Sequence, residues 1–217
     1  MLPLEHRLKT MLAARVATVI RADSAETALN AADALIAAGF RLIEVTMTVP
    51  GAVEAIQELH RRVTERGQID IIVGAGTVMS AADARRCIEA GAAFVVSPSC
   101  ETDIIRPCRE AGVVAIPAGL TPTEIVLAWR QGAHFVKVFP AGSLGGPAYI
   151  KALRGPLPDI PLWVSGMVAA KEAPQYFQAG AQLIGLGSEL LPPHLVAAKD
   201  WAAITQHAQQ LHALCQE

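Results

Sequence analysis

The chain has 217 residues, of which 52% are hydrophobic and 18% charged, with a formal net charge of -2. This balance excludes a disordered chain and leaves no electrostatic footprint for nucleic acid or an anionic membrane, while the length suffices for one substantial core. The opening segment MLPLEHRLKTMLAARVATVI mixes Glu5, His6, Arg7, Lys9 and Arg15 with apolar residues, so it does not read as a signal peptide, and no later apolar run is long enough for a bilayer.

From the N-terminus, a helical segment over residues 3–14 precedes a first strand, VATVI (16–20), which runs straight into Arg21. Seven more short apolar runs follow: LIEVT (42–46), IIVGAG (71–76), FVVSP (94–98), VVAIP (113–117), FVKVF (135–139), LWVSG (162–166) and LIGLG (183–187). Between them lie alanine-rich segments such as SAETALNAADALIAAG and SAADARRCIEAGA. Each of these opens on a serine suited to cap a helix, carries an acid in its first turn and closes on glycine. TPTEIVLAWRQGA and AAKEAPQYFQAGA end the same way, and the stretch from about Leu195 to Gln216 reads as one final helix.

About eight strand-helix units with no Pro/Gly/Ser-rich linker predict a single (β/α)8 barrel over residues 1–217, with the N-terminal helix closing its bottom. A doubly wound open sheet is the alternative, and the count near eight together with short strands favours the barrel. Cys87, Cys100, Cys108 and Cys215 form no C-x-x-C pair, and no histidines cluster at zinc-like spacing. Free thiols in a reducing, cytoplasmic compartment are expected, with no metal site. The six histidines are scattered and receive no role.

Catalytic groups of such a barrel belong at the carboxyl ends of the strands. By the two-residue period, Phe135, Lys137 and Phe139 share one face of the sixth strand, and Leu42, Glu44 and Thr46 share one face of the second. Of the five lysines, only Lys137 sits inside an apolar strand. One reading of Lys137 and Glu44 is a structural ion pair within the barrel. The other is a lysine whose pKa is lowered by apolar walls, so that its neutral amine attacks a carbonyl while a nearby carboxylate moves protons. Arg21 either pairs with a neighbouring acid at the barrel mouth or holds a substrate carboxylate. The third strand ends in GAGT, at Thr77. SGM (165–167) and GLGS (185–188) follow the seventh and eighth strands, where barrels build phosphate sites from backbone N–H groups.

The segments LIEVTMTVPGAVEAI, IIVGAGTVMSAADARRCIEAGAAFVVSP, PAGLTPTEI and FVKVFPAGSLGGPAYIKALRGPLP occur in this order. In order and spacing they resemble the class I 2-keto-3-deoxy-6-phosphogluconate / 4-hydroxy-2-oxoglutarate (KDPG/KHG) aldolases, from about Arg15 to Ser188. The resemblance implies a metal-free lyase that needs no cofactor, assembles as a homotrimer and binds neither nucleic acid nor membrane. It implies that Lys137 forms the Schiff base and that Glu44 is the acid/base residue, acting through a water. Thr77 would help bind the pyruvyl carboxylate, Pro98 and Phe139 would shape the pocket, and Ser165, Gly166, Gly187 and Ser188 would hold the distal phosphate. Three positions depart from the family pattern. Thr48 stands where some members carry arginine, which makes Arg21 the natural substitute, and Ala118 follows Pro117 where glycine is usual. Met167 replaces a phosphate-loop glycine, so its backbone should be strained or one donor tilted away, with a side chain able to narrow the pocket. The expected reaction releases pyruvate and an aldehyde. A sugar-phosphate isomerase or epimerase on a similar barrel, and a non-catalytic sugar-phosphate-binding barrel, are the competing readings.

Overall fold

In a computed structural model, which describes residues 3–216, eight short strands alternate with helices along the chain. The strands are β1 (Val16–Ile20), β2 (Leu42–Thr46), β3 (Ile72–Gly76), β4 (Phe94–Val96), β5 (Val114–Ile116), β6 (Val136–Val138), β7 (Leu162–Ser165) and β8 (Leu183–Leu186). Helix α1 (Leu4–Ala14) comes first. Helices α2 (Ala25–Ala37), α3 (Ala52–Glu65), α4 (Ala81–Glu89), α5 (Ile105–Glu110), α6 (Pro122–Arg130), α7 (Gly146–Arg154) and α8 (Ala173–Gln178) follow β1 to β7 in turn. After β8 come α9 (Pro193–Ala197) and α10 (Trp201–Leu214).

Every strand pairing is parallel, in the order β5-β4-β3-β2-β1-β8-β7-β6. The two outer strands meet through Lys137. Its N–H donates to the Pro117 carbonyl (2.9 Å), and its own carbonyl accepts from the Gly119 N–H (2.8 Å). The sheet is thus a closed (β/α)8 barrel, and the closing seam fixes the backbone of the lysine that the sequence singles out.

The helices start where the sequence places caps. Ser24 Oγ accepts from the Thr27 N–H, Ser80 Oγ from the Asp83 N–H, and Thr121 forms a capping box with Glu124. Several strands stop short of their apolar runs. Pro98 and Pro117, which lack an N–H to extend the ladder, fall beyond β4 and β5. The single final helix expected from about Leu195 is corrected to two. The chain leaves α9 through Lys199 at φ +53°, and the Asp200 carboxylate accepts from the Ala203 N–H to start α10 afresh.

Two cores result. The larger lies between the sheet and the surrounding helices, and the smaller fills the barrel interior around Phe94, Phe135, Trp163 and Leu183. Gly74 on β3 makes room there: a Cβ on it would lie 2.4 Å from the Phe94 ring. Helix α1 closes the bottom of this inner core, with Met11 fully buried and Leu4, Leu8 and Ala14 packed against it. Buried Arg7 pins the helix, donating to the carbonyls of Ala93 (3.1 Å) and Gly112. No helix among the described residues is long and apolar enough to cross a membrane.

Candidate active site

Glu44 and Lys137 both point into the barrel, from β2 and β6, and are only 1% and 4% exposed. A carboxylate fits there because Gly76, on the adjacent strand, has no side chain: a Cβ at that position would lie 1.7 Å from Glu44 Oε1. The second glycine of the GAGT segment is therefore a steric requirement of the glutamate, as the first is of Phe94. Neither Glu44 oxygen has a hydrogen-bond partner among the described residues. A direct ion pair with Lys137, the structural reading of these two groups, is thus not formed.

Burial dominates the electrostatics of both groups. Desolvation raises the Glu44 pKa above its ordinary value, against the pull of the Lys137 and Arg21 charges. Desolvation likewise lowers the Lys137 pKa, opposed by Glu44 and assisted by Arg21. Each shift favours the neutral form, which for lysine is the nucleophilic one. The Lys137 Nζ lies 4.9 Å from the centroid of the Phe139 ring, one of its apolar walls.

Arg21 reaches across the mouth of the barrel from the end of β1. Its guanidinium donates to Thr48 Oγ1 (3.2 Å) and, at the limit of hydrogen-bond range, to Thr77 Oγ1 (3.4 Å). Thr48 Oγ1 also lies 2.8 Å from Thr46 Oγ1, which donates to the Ile20 carbonyl. Thr48 therefore supports an arginine that follows β1 directly. Thr77 is held at φ +56°, a costly conformation for a β-branched residue and one that clusters at functional sites.

Above Lys137 opens a cleft of about 450 Å³. Its lining joins Arg21, Lys137 and Phe139 to Ser165, Gly166, Gly187 and Ser188, so seven of the ten residues expected at the site converge. The other three are placed differently. Glu44 is buried beneath the cleft, Thr77 is linked to it through Arg21, and half-buried Pro98 lies past the end of β4, outside the lining. A second cavity, of about 410 Å³, lies under α1 beside His60 and Gln68, on the side away from these residues.

Met167 adopts the strained alternative, at φ +57°. Its side chain stands at the cleft rim, 79% exposed, and so projects into solvent more than it narrows the pocket. Glu189, Leu191 and Val19 line the cleft without having been singled out from the sequence. Glu189 directly follows the GLGS turn, which was its one available signal. Its carboxylate accepts from the Ala170 N–H (2.8 Å) and so ties the segment after β8 to the segment after β7.

The family model described as KDPG and KHG aldolase matches residues 6–207. A 2-dehydro-3-deoxy-phosphogluconate aldolase of Pseudomonas aeruginosa is 34% identical over 197 residues, covering 91% of this chain and 87% of that one. A KHG/KDPG aldolase of Escherichia coli is 32% identical over 195 residues, covering 90% and 89%. Among solved structures, the chain is similar to a KDPG aldolase from Legionella pneumophila with pyruvate captured at low pH as a covalent carbinolamine intermediate. That match has 27% identity and a TM-score of 0.84, and covers 94% of this chain and 97% of that one.

Proposed function

The chain belongs to the KDPG and KHG aldolase family, and on that premise we propose that it is a class I aldolase whose Schiff base forms on Lys137. The reaction is reversible cleavage of a 2-keto-3-deoxy sugar acid 6-phosphate, or of 4-hydroxy-2-oxoglutarate, to pyruvate and an aldehyde. One observation carries the residue assignment: a buried lysine of lowered pKa lines the cleft, and a buried carboxyl with no hydrogen-bond partner among the described residues lies beneath it.

The neutral amine of Lys137 adds to the C2 carbonyl of the substrate and gives a carbinolamine. Glu44, its pKa raised by burial, delivers a proton to the C2 hydroxyl by way of a water, and loss of water leaves the protonated imine. Glu44 is now a carboxylate and takes the proton of the C4 hydroxyl as the C3–C4 bond breaks. The electron pair of that bond flows into the imine, yielding an enamine on Lys137 and a free aldehyde. Protonation at C3 and hydrolysis then release pyruvate and regenerate the amine.

Arg21, positioned by Thr48, and Thr77 are suited to the substrate carboxylate, because a planar guanidinium fork matches carboxylate geometry. Phe139 walls the imine, and Pro98 borders the same end of the barrel. Ser165, Gly166, Gly187 and Ser188 offer hydroxyl and backbone donors to the distal phosphate. The whole chain works as one barrel domain and assembles as a homotrimer. Its four unpaired cysteines suit a cytoplasmic setting. The test is pyruvate release from a panel of phosphorylated and unphosphorylated 2-keto-3-deoxy acids and 4-hydroxy-2-oxoglutarate. Release should persist in EDTA, since the imine is the electron sink, and a panel without pyruvate release would reject the proposal.

A further inference from the structure

Among the described residues that line the cleft, three side chains are acidic or basic: Arg21, Lys137 and Glu189. The proposed reaction uses the first two and leaves Glu189 without a role. Glu189 directly follows Ser188 on the segment leaving β8, and shares the lining with Ser165, Gly166 and Gly187. It is fixed from two sides. Its carboxylate accepts from the Ala170 N–H (2.8 Å) on the segment after β7, and His207 Nε2 of α10 donates to its main-chain carbonyl (2.8 Å).

The formal charge at the distal end of the cleft is therefore negative. Arg21 and Lys137 both serve the keto-acid end of the substrate, and no ion pair among the described residues includes Glu189. Val168, Leu191 and Pro193 add apolar lining, which limits screening of that charge by solvent. An ionised carboxylate accepts hydrogen bonds and donates none, and the bond from Ala170 uses one of its roughly four lone-pair sites. A terminal sugar hydroxyl can donate to such a group. A phosphate dianion brings it only further acceptors and a like charge.

We propose that Glu189 is a specificity-determining residue that turns the distal end of the cleft toward the free terminal hydroxyl of an unphosphorylated 2-keto-3-deoxy sugar acid. The proposal rests on the aldolase reading and names the substrate class of that same cleft. The serine hydroxyls and backbone N–H groups of the lining can donate to a hydroxyl oxygen or to a phosphate oxygen, so they do not choose between the two. The carboxylate does: it accepts from the hydroxyl and repels the phosphate.

The test compares kcat/KM for a six-carbon 2-keto-3-deoxy sugar acid and for its 6-phosphate, measured by pyruvate release from the full chain. The wild-type enzyme should favour the unphosphorylated acid. Glu189→Gln keeps an oxygen that can accept from Ala170 and removes the charge. It should raise the ratio of phosphorylated to unphosphorylated kcat/KM by roughly ten- to a hundredfold, and competitive inhibition by inorganic phosphate should tighten in the same variant. A wild-type preference for the 6-phosphate would overturn the proposal without recourse to any variant, as would a Glu189→Gln enzyme in which neither the ratio nor the phosphate inhibition moves. Pyruvate from 4-hydroxy-2-oxoglutarate alone would overturn it and leave the aldolase reading intact. No pyruvate from any of these acids would reject the aldolase reading, and this proposal with it.

Discussion

Arg7 and Lys137 are both buried basic side chains of the same barrel, one at each end, and their surroundings differ in kind. Arg7 sits under α1 with its guanidinium donating to the carbonyls of Ala93 and Gly112, so the bottom of the barrel satisfies its charge in place. Lys137 has apolar walls, and the nearby carboxylate makes no hydrogen bond to it or to any other group among the described residues. A buried polar group left unmatched costs stability, and a fold retains that cost where the group is needed for chemistry. The bonded guanidinium holds the barrel together; the amine facing the cleft is kept for a substrate.

Replacing each cation by methionine gives the sharpest contrast. Lys137→Met should lower turnover by roughly 10⁴–10⁶-fold, while its thermal midpoint stays level or rises, because an apolar chain replaces an amine that burial desolvates. Arg7→Met should do the reverse. It strands two carbonyls at about 1–3 kcal/mol each and lowers the melting temperature, with kcat per folded molecule unchanged. If Lys137→Met unfolded the barrel while Arg7→Met abolished activity in a stable protein, the contrast would be inverted.

Glu44→Gln comes next. Turnover should fall by roughly 10²–10⁴-fold with the fold intact, measured by pyruvate release alongside thermal melting. A loss of stability with near-normal turnover would make Glu44 a structural group after all.

A smaller effect concerns pH. Imine trapping by borohydride should reach half its maximum below the ordinary lysine value of 10.5. The Glu44 charge raises the Lys137 pKa and Arg21 lowers it, so Glu44→Gln should move that midpoint down and Arg21→Ala should move it up. Stability follows by linkage. Between the lowered folded value and 10.5 the unfolded state binds more protons, so stability rises with pH across that window, and Lys137→Met should erase the rise. For Glu44 the folded state binds more protons between 4.5 and its raised value, so stability falls as pH rises there, and Glu44→Gln should erase the fall. Unmoved midpoints in both variants would show that these charges do not sense one another.

The smallest effect is expected at the cleft rim. Met167 occupies a left-handed conformation that suits glycine. Met167→Gly should relax the loop and raise the preference for phosphorylated over unphosphorylated substrate by roughly ten- to a hundredfold, the worth of one charge-assisted hydrogen bond. An unchanged ratio of kcat/KM values would mean that the loop already presents all its donors.

The barrel was legible because its signals are local. Serine caps, glycine stops and short β-branched runs recur along the whole chain, and each follows from backbone sterics and the helix's own unpaired groups. Lys137 and Glu44 were legible because a charge on the inward face of an apolar strand conflicts with its neighbours. What escaped depends on contacts between distant segments. Nothing near Arg7 in the sequence shows that the carbonyls of Ala93 and Gly112 await it. Trp163 reads as ordinary core until its N–H is seen to lack an acceptor. Gly185 and Gly76 read as strand glycines, yet a side chain on the first would press on Trp163 and Ser165, and one on the second would overlap Glu44. The break between α9 and α10 was missed because alanine-rich sequence continues through it, and only Asp200 marks the new start.

Incubation of the intact protein with pyruvate and borohydride, followed by peptide mass mapping, tests the central claim most directly. The proposed mechanism predicts one reduced pyruvyl group per chain, on Lys137, and none on the lysines at 9, 151, 171 and 199. An adduct on any of those four, or no adduct under conditions where pyruvate is turned over, would contradict it.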